Sequence, residues 1–246
     1  MNKNAVVALI ALTLASVSCS STPSRPAPAP PPPPAQVKGP VRPMPPIDDE
    51  DALFSDSFEE FRPEWQQSGG IWEVAEGSLL QKADDPRELY AYRWVQTKRF
   101  SDATVEMEVS EQPYVPSVWS NSEADSEHKR SLRYVVGAGI IFRRLDRSNF
   151  YMFRLAGEEN AVLAKMVDGD WKDIASPRLV SFLGGSRIKF GETLYKLKVT
   201  IRGSRIQCFV NDGIVIDITE PGSPIGQVGL VTFKTAADFR SFRVTK

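Results

Sequence analysis

Three closely set glutamates are the residues in this chain whose chemistry is easiest to name. Glu106, Glu108 and Glu111 occur in the run Glu-Met-Glu-Val-Ser-Glu. Glycosidic-bond hydrolysis asks for two carboxylates about 5–10 Å apart, one to protonate the leaving oxygen and one to serve as base or nucleophile. Glu106 and Glu108 are two residues apart, so on a strand they share a face. Alternating glutamates are equally what a solvated strand face looks like, and the spacing supports both readings. Other reaction classes find no residues to carry them. The chain has no nucleophile elbow, phosphate loop or zinc-ligand spacing. Its lone histidine, His128, excludes a histidine-rich metal site.

A second group of residues suits binding. The polar stretch 111–132, EQPYVPSVWSNSEADSEHKRSL, carries Tyr114 and Trp119 among Asn and Ser. An aromatic ring stacks on the face of a sugar while neighbouring polar groups meet its hydroxyls. Loops of such length in compact domains are functional or disordered, so the stretch reads either as a glycan contact or as an excursion without a ligand. Trp72 could also stack on a sugar, but its place in a hairpin reads as core.

These residues need elements to hold them. The stretch from Tyr195 to Thr219 is the clearest. Leu197, Val199 and Ile201 alternate with Lys196, Lys198, Thr200 and Arg202, then Ile206, Cys208 and Val210 repeat the pattern. That is period two, the mark of a strand with one buried face. Breaks at Arg202-Gly203-Ser204 and Asn211-Asp212-Gly213 predict two hairpin turns, the second centred on Asp-Gly, with Ile214, Ile216 and Ile218 opening a third strand. Further turn signals stand at Glu76-Gly77, Asp168-Gly169 and Gly184-Gly185, and no long stretch keeps a 3.6-residue period. Hairpins are expected around Glu76-Gly77 and Asp168-Gly169, and strands over Tyr90–Val95 and Ala103–Ser110. On the strand ending at Arg143, Ile140 and Phe142 are expected on one face, Ile141 and Arg143 on the other. Many short strands at this spacing predict an all-β fold, a two-sheet antiparallel β-sandwich over residues 51–246 with a long insertion at 111–132.

The beginning of the chain reads differently. Lys3, the apolar run AVVALIALTLASV and Ser16-Val17-Ser18-Cys19 resemble a bacterial lipoprotein signal peptide over residues 1–18. That resemblance implies lipidation of Cys19 and, with Ser20 next, an outer-membrane location; Ser16 departs from the usual leucine. Residues 19–50 hold more than half of the chain's 19 prolines. They are expected to form an extended polyproline II spacer of about 3.1 Å per residue. If Cys19 carries lipid, Cys208 is left without a disulfide partner, and its register makes it a small buried hydrophobe. A net charge of −1 gives no reason to expect a nucleic-acid partner.

Scattered motifs together look like those of concanavalin A-like jelly rolls, in particular laminin-G-like domains and bacterial 3-keto-disaccharide hydrolase domains. They are Asp56/Phe58, Trp72/Val74/Gly77/Leu79, Gly139/Phe142/Arg143, Asp146/Asn149/Phe150/Tyr151, Gly226/Val228/Gly229/Leu230 and Asp238/Phe239/Phe242. The resemblance covers roughly residues 52–246. It implies carbohydrate across the concave face of one sheet, with Arg143 and Arg154 as forks for hydroxyls or carboxylates. Asn149 reads as a turn former. Many such jelly rolls hold a structural calcium where first and last strands meet, which makes Asp56 and Asp238 candidate ligands. The glutamate run is similar to the E-x-D-x-x-E of laminarinase-type hydrolases, departing from it at Glu108.

The sequence as a whole therefore points to a membrane-tethered module that binds a polysaccharide or cell-envelope component without catalysis. A glycoside hydrolase of the 3-keto-glycoside or β-glucan class, working through Glu106, Glu108 and Glu111, is the alternative. An envelope scaffold that docks a protein on the 111–132 insertion is the second alternative.

Overall fold

In the computed structural model the described residues are 52–82, 90–112, 136–189, 191–223 and 225–246. They form fifteen strands and no helix. The eight-stranded sheet runs β13 (Gly213–Thr219), β12 (Arg205–Val210), β11 (Tyr195–Arg202), β6 (Thr104–Gln112), β15 (Ala236–Thr245), β4 (Ser78–Lys82), β3 (Ile71–Ala75), with β1 (Ala52–Asp56) also beside β15. The seven-stranded sheet runs β10 (Asp170–Ala175), β9 (Asn160–Val167), β8 (Phe150–Ala156), β7 (Gly137–Arg144), β14 (Gln227–Phe233), β5 (Tyr90–Val95), β2 (Trp65–Ser68). Every pairing is antiparallel.

Period-two alternation accounts for the eight-stranded sheet. Val105, Met107 and Val109 of β6 and Leu197, Val199 and Ile201 of β11 are buried, while Glu106, Glu108, Lys196 and Lys198 lie between them on the other face. These inward residues meet Ile140, Phe142, Phe153 and Leu155 of the seven-stranded sheet. Each such side chain contributes about 1.5–3 kcal/mol by leaving water. Around β1, Trp65 packs edge-on against Phe54 at 5.6 Å and Phe242 at 5.1 Å. Its Nε1 donates to Asp56 Oδ2 at 2.6 Å, which gives the ring's polar atom a buried partner. Trp72 stacks on Phe239 at 5.9 Å and is core, as its hairpin position suggested.

The hairpins expected at Glu76-Gly77 and Asp168-Gly169 are present, with positive φ at all four residues. The third differs in detail from its Asp-Gly reading. Asn211 (φ 48°) and Asp212 (φ 68°) make the turn, and Gly213 already pairs with Val210 in β13. Asn and Asp tolerate the left-handed region, so the glycine is free to enter the strand. A bulge opposite Cys208 and Phe209 then turns both Val215 and Ile216 inward and leaves Ile214 exposed, so Ile214, Ile216 and Ile218 do not share one face. Cys208 is fully buried, and burial pushes its thiol pKa well up; it is a packing residue.

One motif glycine has a clear steric reason. A Cβ on Gly139 would lie 2.1 Å from the Phe153 carbonyl oxygen and 2.5 Å from Arg154 Cα. β7 can therefore run beside β8 only with no side chain at this point.

Candidate functional site

The two sheets treat their outer faces differently. The outer face of the eight-stranded sheet carries charges. The seven-stranded sheet is apolar on both faces, and its second apolar cluster contains Trp94, Ile141, Phe150, Met152 and Val231, with Tyr90, Tyr92 and Met166 against it. The cause lies in parity. On β5, Ala91, Arg93 and Val95 turn inward, which sends Tyr90, Tyr92 and Trp94 outward; on β8, Phe150, Met152 and Arg154 turn outward.

The outward aromatics form a connected cluster, in which Trp94 and Phe150 are buried, Tyr90 and Tyr92 half-buried and Trp171 exposed. Tyr90 and Tyr92 stack at 5.6 Å with 8° between planes, and Tyr90 also meets Trp171 at 5.1 Å and Phe233 at 4.4 Å. Phe150 stands edge-on to Tyr92 at 5.4 Å and to Trp171 at 5.5 Å. Burial pushes the Tyr92 hydroxyl pKa far up.

At one end of the cluster is a cleft of about 290 Å³ lined by Gln67, Ser68, Tyr92, Trp94, Ile141, Arg144, Arg147 and Phe150. Gln67 and Ser68 come from the edge strand β2, opposite Arg93 and Tyr92. Arg144 lies over Trp94, its guanidinium carbon 3.9 Å from the ring centroid. Its Nη1 donates to Gln227 Oε1 at 2.6 Å, and Gln227 Nε2 donates to the Gln96 carbonyl. Burial lowers the Arg144 pKa, against the opposing effect of Asp146. The loop that carries Arg147 is pinned at both ends. Asp146 Oδ1 accepts the Ser148 N–H at 2.7 Å and the Asn149 amide, and Asn149 Oδ1 accepts the Asp168 N–H at 3.1 Å. Asn149 is thus the turn residue it was read to be.

The arginine expected here was Arg143, and its placement needs correction. β7 bulges at this point: Ile141 pairs with Gly229 but Arg144 pairs with Gln227, and Arg143 takes φ 49°. One extra residue reverses the alternation, so Arg143 leaves the outer face and Arg144 takes it. Arg143 is 3% exposed, donates to the carbonyls of Gly203 and Glu220, and lies over Tyr151 at 5.4 Å. It ties the two sheets together. Arg154 does lie on the outer face, under Phe233 at 5.0 Å, but it is 6% exposed and donates to the Leu155 carbonyl. Arg144 was missed because a bulge leaves no local sequence mark, although the paired arginines were visible.

The glutamates do not form one constellation. Glu106 and Glu108 face outward on the eight-stranded sheet, where Glu106 meets Lys196 at 3.5 Å and Glu108 meets Ser241. Glu111, an odd number of residues on, turns to the opposite face. It is 1% exposed, and its Oε1 accepts the Ala138 N–H of β7. Burial pushes its carboxyl up to about 8. No Asp or Glu is among the described residues that line the cleft.

Asp56 and Asp238 are not brought together either. Asp56 pairs with Phe242, four residues along β15 from Asp238, which separates them by about 13 Å at 3.3 Å per residue. Asp56 accepts the Phe58 N–H and the Trp65 Nε1–H, one on each oxygen, and Asp238 meets Arg240 at 3.4 Å. A calcium ion shared by these two carboxylates does not fit, and no cluster of three or more His, Cys, Asp or Glu side chains occurs among the described residues. Tyr114, Trp119, His128 and Cys19 lie outside the described residues.

No protein-family model and no curated protein matches the sequence. Solved structures do. The carbohydrate binding module CBM66 from Bacillus subtilis matches with a TM-score of 0.58 at 18% identity, over 74% of this chain and 96% of the module. A Bacillus licheniformis beta-glucanase matches with a TM-score of 0.55 at 9% identity, over 78% of this chain and 97% of the enzyme. A Bacillus subtilis protein of galectin-like fold matches with a TM-score of 0.56 at 12% identity, over 79% and 96%. The fold is a concanavalin A-like jelly roll. At these identities the likeness is one of fold, and the jelly roll carries binding modules and hydrolases alike.

Proposed function

We propose that this jelly roll is a non-catalytic carbohydrate-binding module, lipidated at Cys19 and held off the bacterial outer membrane by the Pro-rich segment. The observation that carries the reading is the cleft on the outer face of the seven-stranded sheet, where half-buried Tyr92 at the edge of a buried aromatic cluster meets Arg144, Arg147, Gln67 and Ser68. A pyranose or furanose ring presents C–H groups on its faces and hydroxyls on its rim. Tyr92 suits the first, and the guanidinium and amide groups suit the second. The fold likeness to CBM66 and to a beta-glucanase supports a saccharide ligand. The absence of carboxylates from the described cleft lining supports binding over hydrolysis, since bond cleavage needs two of them in reach. The resemblance of residues 1–19 to a lipoprotein signal with its cysteine, and the Pro-rich spacer behind it, support a place at the envelope, where such a module would meet polysaccharide.

The test is a glycan array together with pull-down on purified cell wall. The unmodified domain should bind a defined class of glycan. Arg144→Ala should weaken that binding about tenfold or more, because losing a charge-assisted hydrogen bond costs about 1.5–3 kcal/mol. Glu106→Gln and Glu108→Gln should bind unchanged. A domain that binds no glycan and no wall fraction, or one that Arg144→Ala leaves unaffected, overturns the proposal.

A further inference from the structure

Two guanidinium groups share the cleft on the outer face of the seven-stranded sheet. Arg144 is half-buried, Arg147 is exposed, and both line it. Neither forms an ion pair with a carboxylate among the described residues. Elsewhere the chain does pair such groups: Arg62 meets Glu64 at 2.6 Å, Arg178 meets Glu159 at 2.5 Å and Arg205 meets Asp217 at 2.7 Å. Asp146 stands between the cleft arginines in sequence but is not a lining residue. Its own turn takes up its carboxylate: Oδ1 accepts the Ser148 N–H at 2.7 Å, and Asn149 Nδ2 lies 3.2 Å from both oxygens. It offsets part of the Arg144 charge from outside the cleft.

The other lining side chains add donors. Gln67 Oε1 already accepts from Arg93 Nη1 at 3.5 Å, which leaves the Gln67 amide N–H groups for a ligand. Arg144 Nη1 is spent on Gln227 Oε1 at 2.6 Å, and Gln227 is itself tied to the Gln96 carbonyl at 3.1 Å. Arg144 Nε and Nη2 have no such partner among the described residues. Those two nitrogens form one edge of the planar head, and such an edge meets both oxygens of a carboxylate. Trp94 beneath the head helps to fix its direction.

Donor excess discriminates between ligands. A neutral sugar hydroxyl donates and accepts at once, so it wants acceptors in the wall as well as donors. An ionised carboxylate only accepts. It also supplies the negative charge that the described lining lacks.

We propose that the saccharide taken by this cleft is anionic, a uronic acid or another carboxyl-bearing sugar, with its carboxylate on the Nε–Nη2 edge of Arg144, Arg147 as the second cation and its ring against Tyr92. This preference rests on the cleft being the carbohydrate site proposed above.

Titration calorimetry on the full-length chain tests it, with oligogalacturonate, oligoglucuronate and oligomannuronate as probes, each beside its carboxyl-reduced, neutral form. At least one acid should bind about tenfold or more tightly than its reduced form, because hydrogen bonds to a charged group are the stronger kind. That margin should shrink as salt screens the charges. Arg147→Gln, on an exposed loop, should cut the margin severalfold, and Arg144→Gln/Arg147→Gln should bring each pair within about twofold. Arg205→Gln, which removes a charge from the other sheet, should keep the full margin. Acid and neutral forms that bind equally well would overturn the anionic preference and leave a carbohydrate site standing. A margin that survives the double change would also overturn it, by placing the acid elsewhere. A chain that binds neither form of any probe and no other glycan would strike both the preference and the carbohydrate reading beneath it.

Discussion

Glu111→Gln is expected to stabilise the domain at neutral pH and to flatten its stability between about pH 4.5 and 8. The carboxyl is enclosed where β6 meets the start of β7, and its Oε2 has no hydrogen-bond partner among the described residues. Desolvation raises its pKa to about 8 from an ordinary 4.5, against the opposing effects of the Ala138 N–H and the nearby Arg154 guanidinium. The folded state therefore holds a proton here that the unfolded state has released. Stability from this group is fully present below about pH 4.5 and is lost as pH rises through about 8. At 1.36 kcal/mol per pH unit the loss is at most on the order of 5 kcal/mol, a large share of a typical domain's stability. Glutamine keeps the oxygen that accepts the Ala138 N–H and carries no charge. Chemical denaturation of both chains from pH 4 to 9 measures this. Parallel profiles would contradict it.

The second large effect concerns Arg93, the largest of the fully buried side chains. Its guanidinium carbon lies 4.0 Å from the Phe61 ring centroid, 5.6 Å from Trp65 and 6.0 Å from Trp72. Its Nε has no hydrogen-bond partner among the described residues, and burial lowers its pKa to about 10. Two terms oppose each other. The stem and planar head fill space between aromatics and gain cation–π attraction, while desolvating the charge costs free energy. Arg93→Ala loses the filling and should cost about 3–5 kcal/mol, as other large-to-small core changes do. Arg93→Met keeps most of the volume and removes the charge, so it should cost under about 1.5 kcal/mol or stabilise. Urea denaturation of the two variants separates packing from charge. A Met variant as damaged as the Ala variant would show that the charge itself holds this corner together.

The fold was legible because period-two alternation is strong wherever one face is wet. The strand from Tyr195 to Arg202 and the strand from Thr104 alternate lysine or glutamate with aliphatic residues, and both fold as expected. Where both faces are apolar the signal vanishes. Tyr90, Tyr92 and Trp94 read as a strand, but nothing in YAYRWV marks Arg93 as inward and the aromatics as outward. The binding face was hidden for that reason. The Arg143 error has a different origin: the bulge is set by how β7 pairs with β14, a long-range contact that leaves no local trace. Glu111 was a matter of arithmetic, since an odd spacing from Glu108 already places it on the other face of β6.

Chemical-shift mapping on the isotope-labelled domain, with β-glucan oligosaccharides and peptidoglycan sugar strands as probes, asks the central question most directly: which face meets sugar. The expected result is saturable shifts at Tyr92, Trp94, Arg144 and Phe150, with the amides of Glu106, Glu108, Lys196 and Lys198 unmoved. Shifts confined to the charged outer face of the eight-stranded sheet, or no shifts with any saccharide the domain is given, would contradict the assignment of the aromatic face as the binding site.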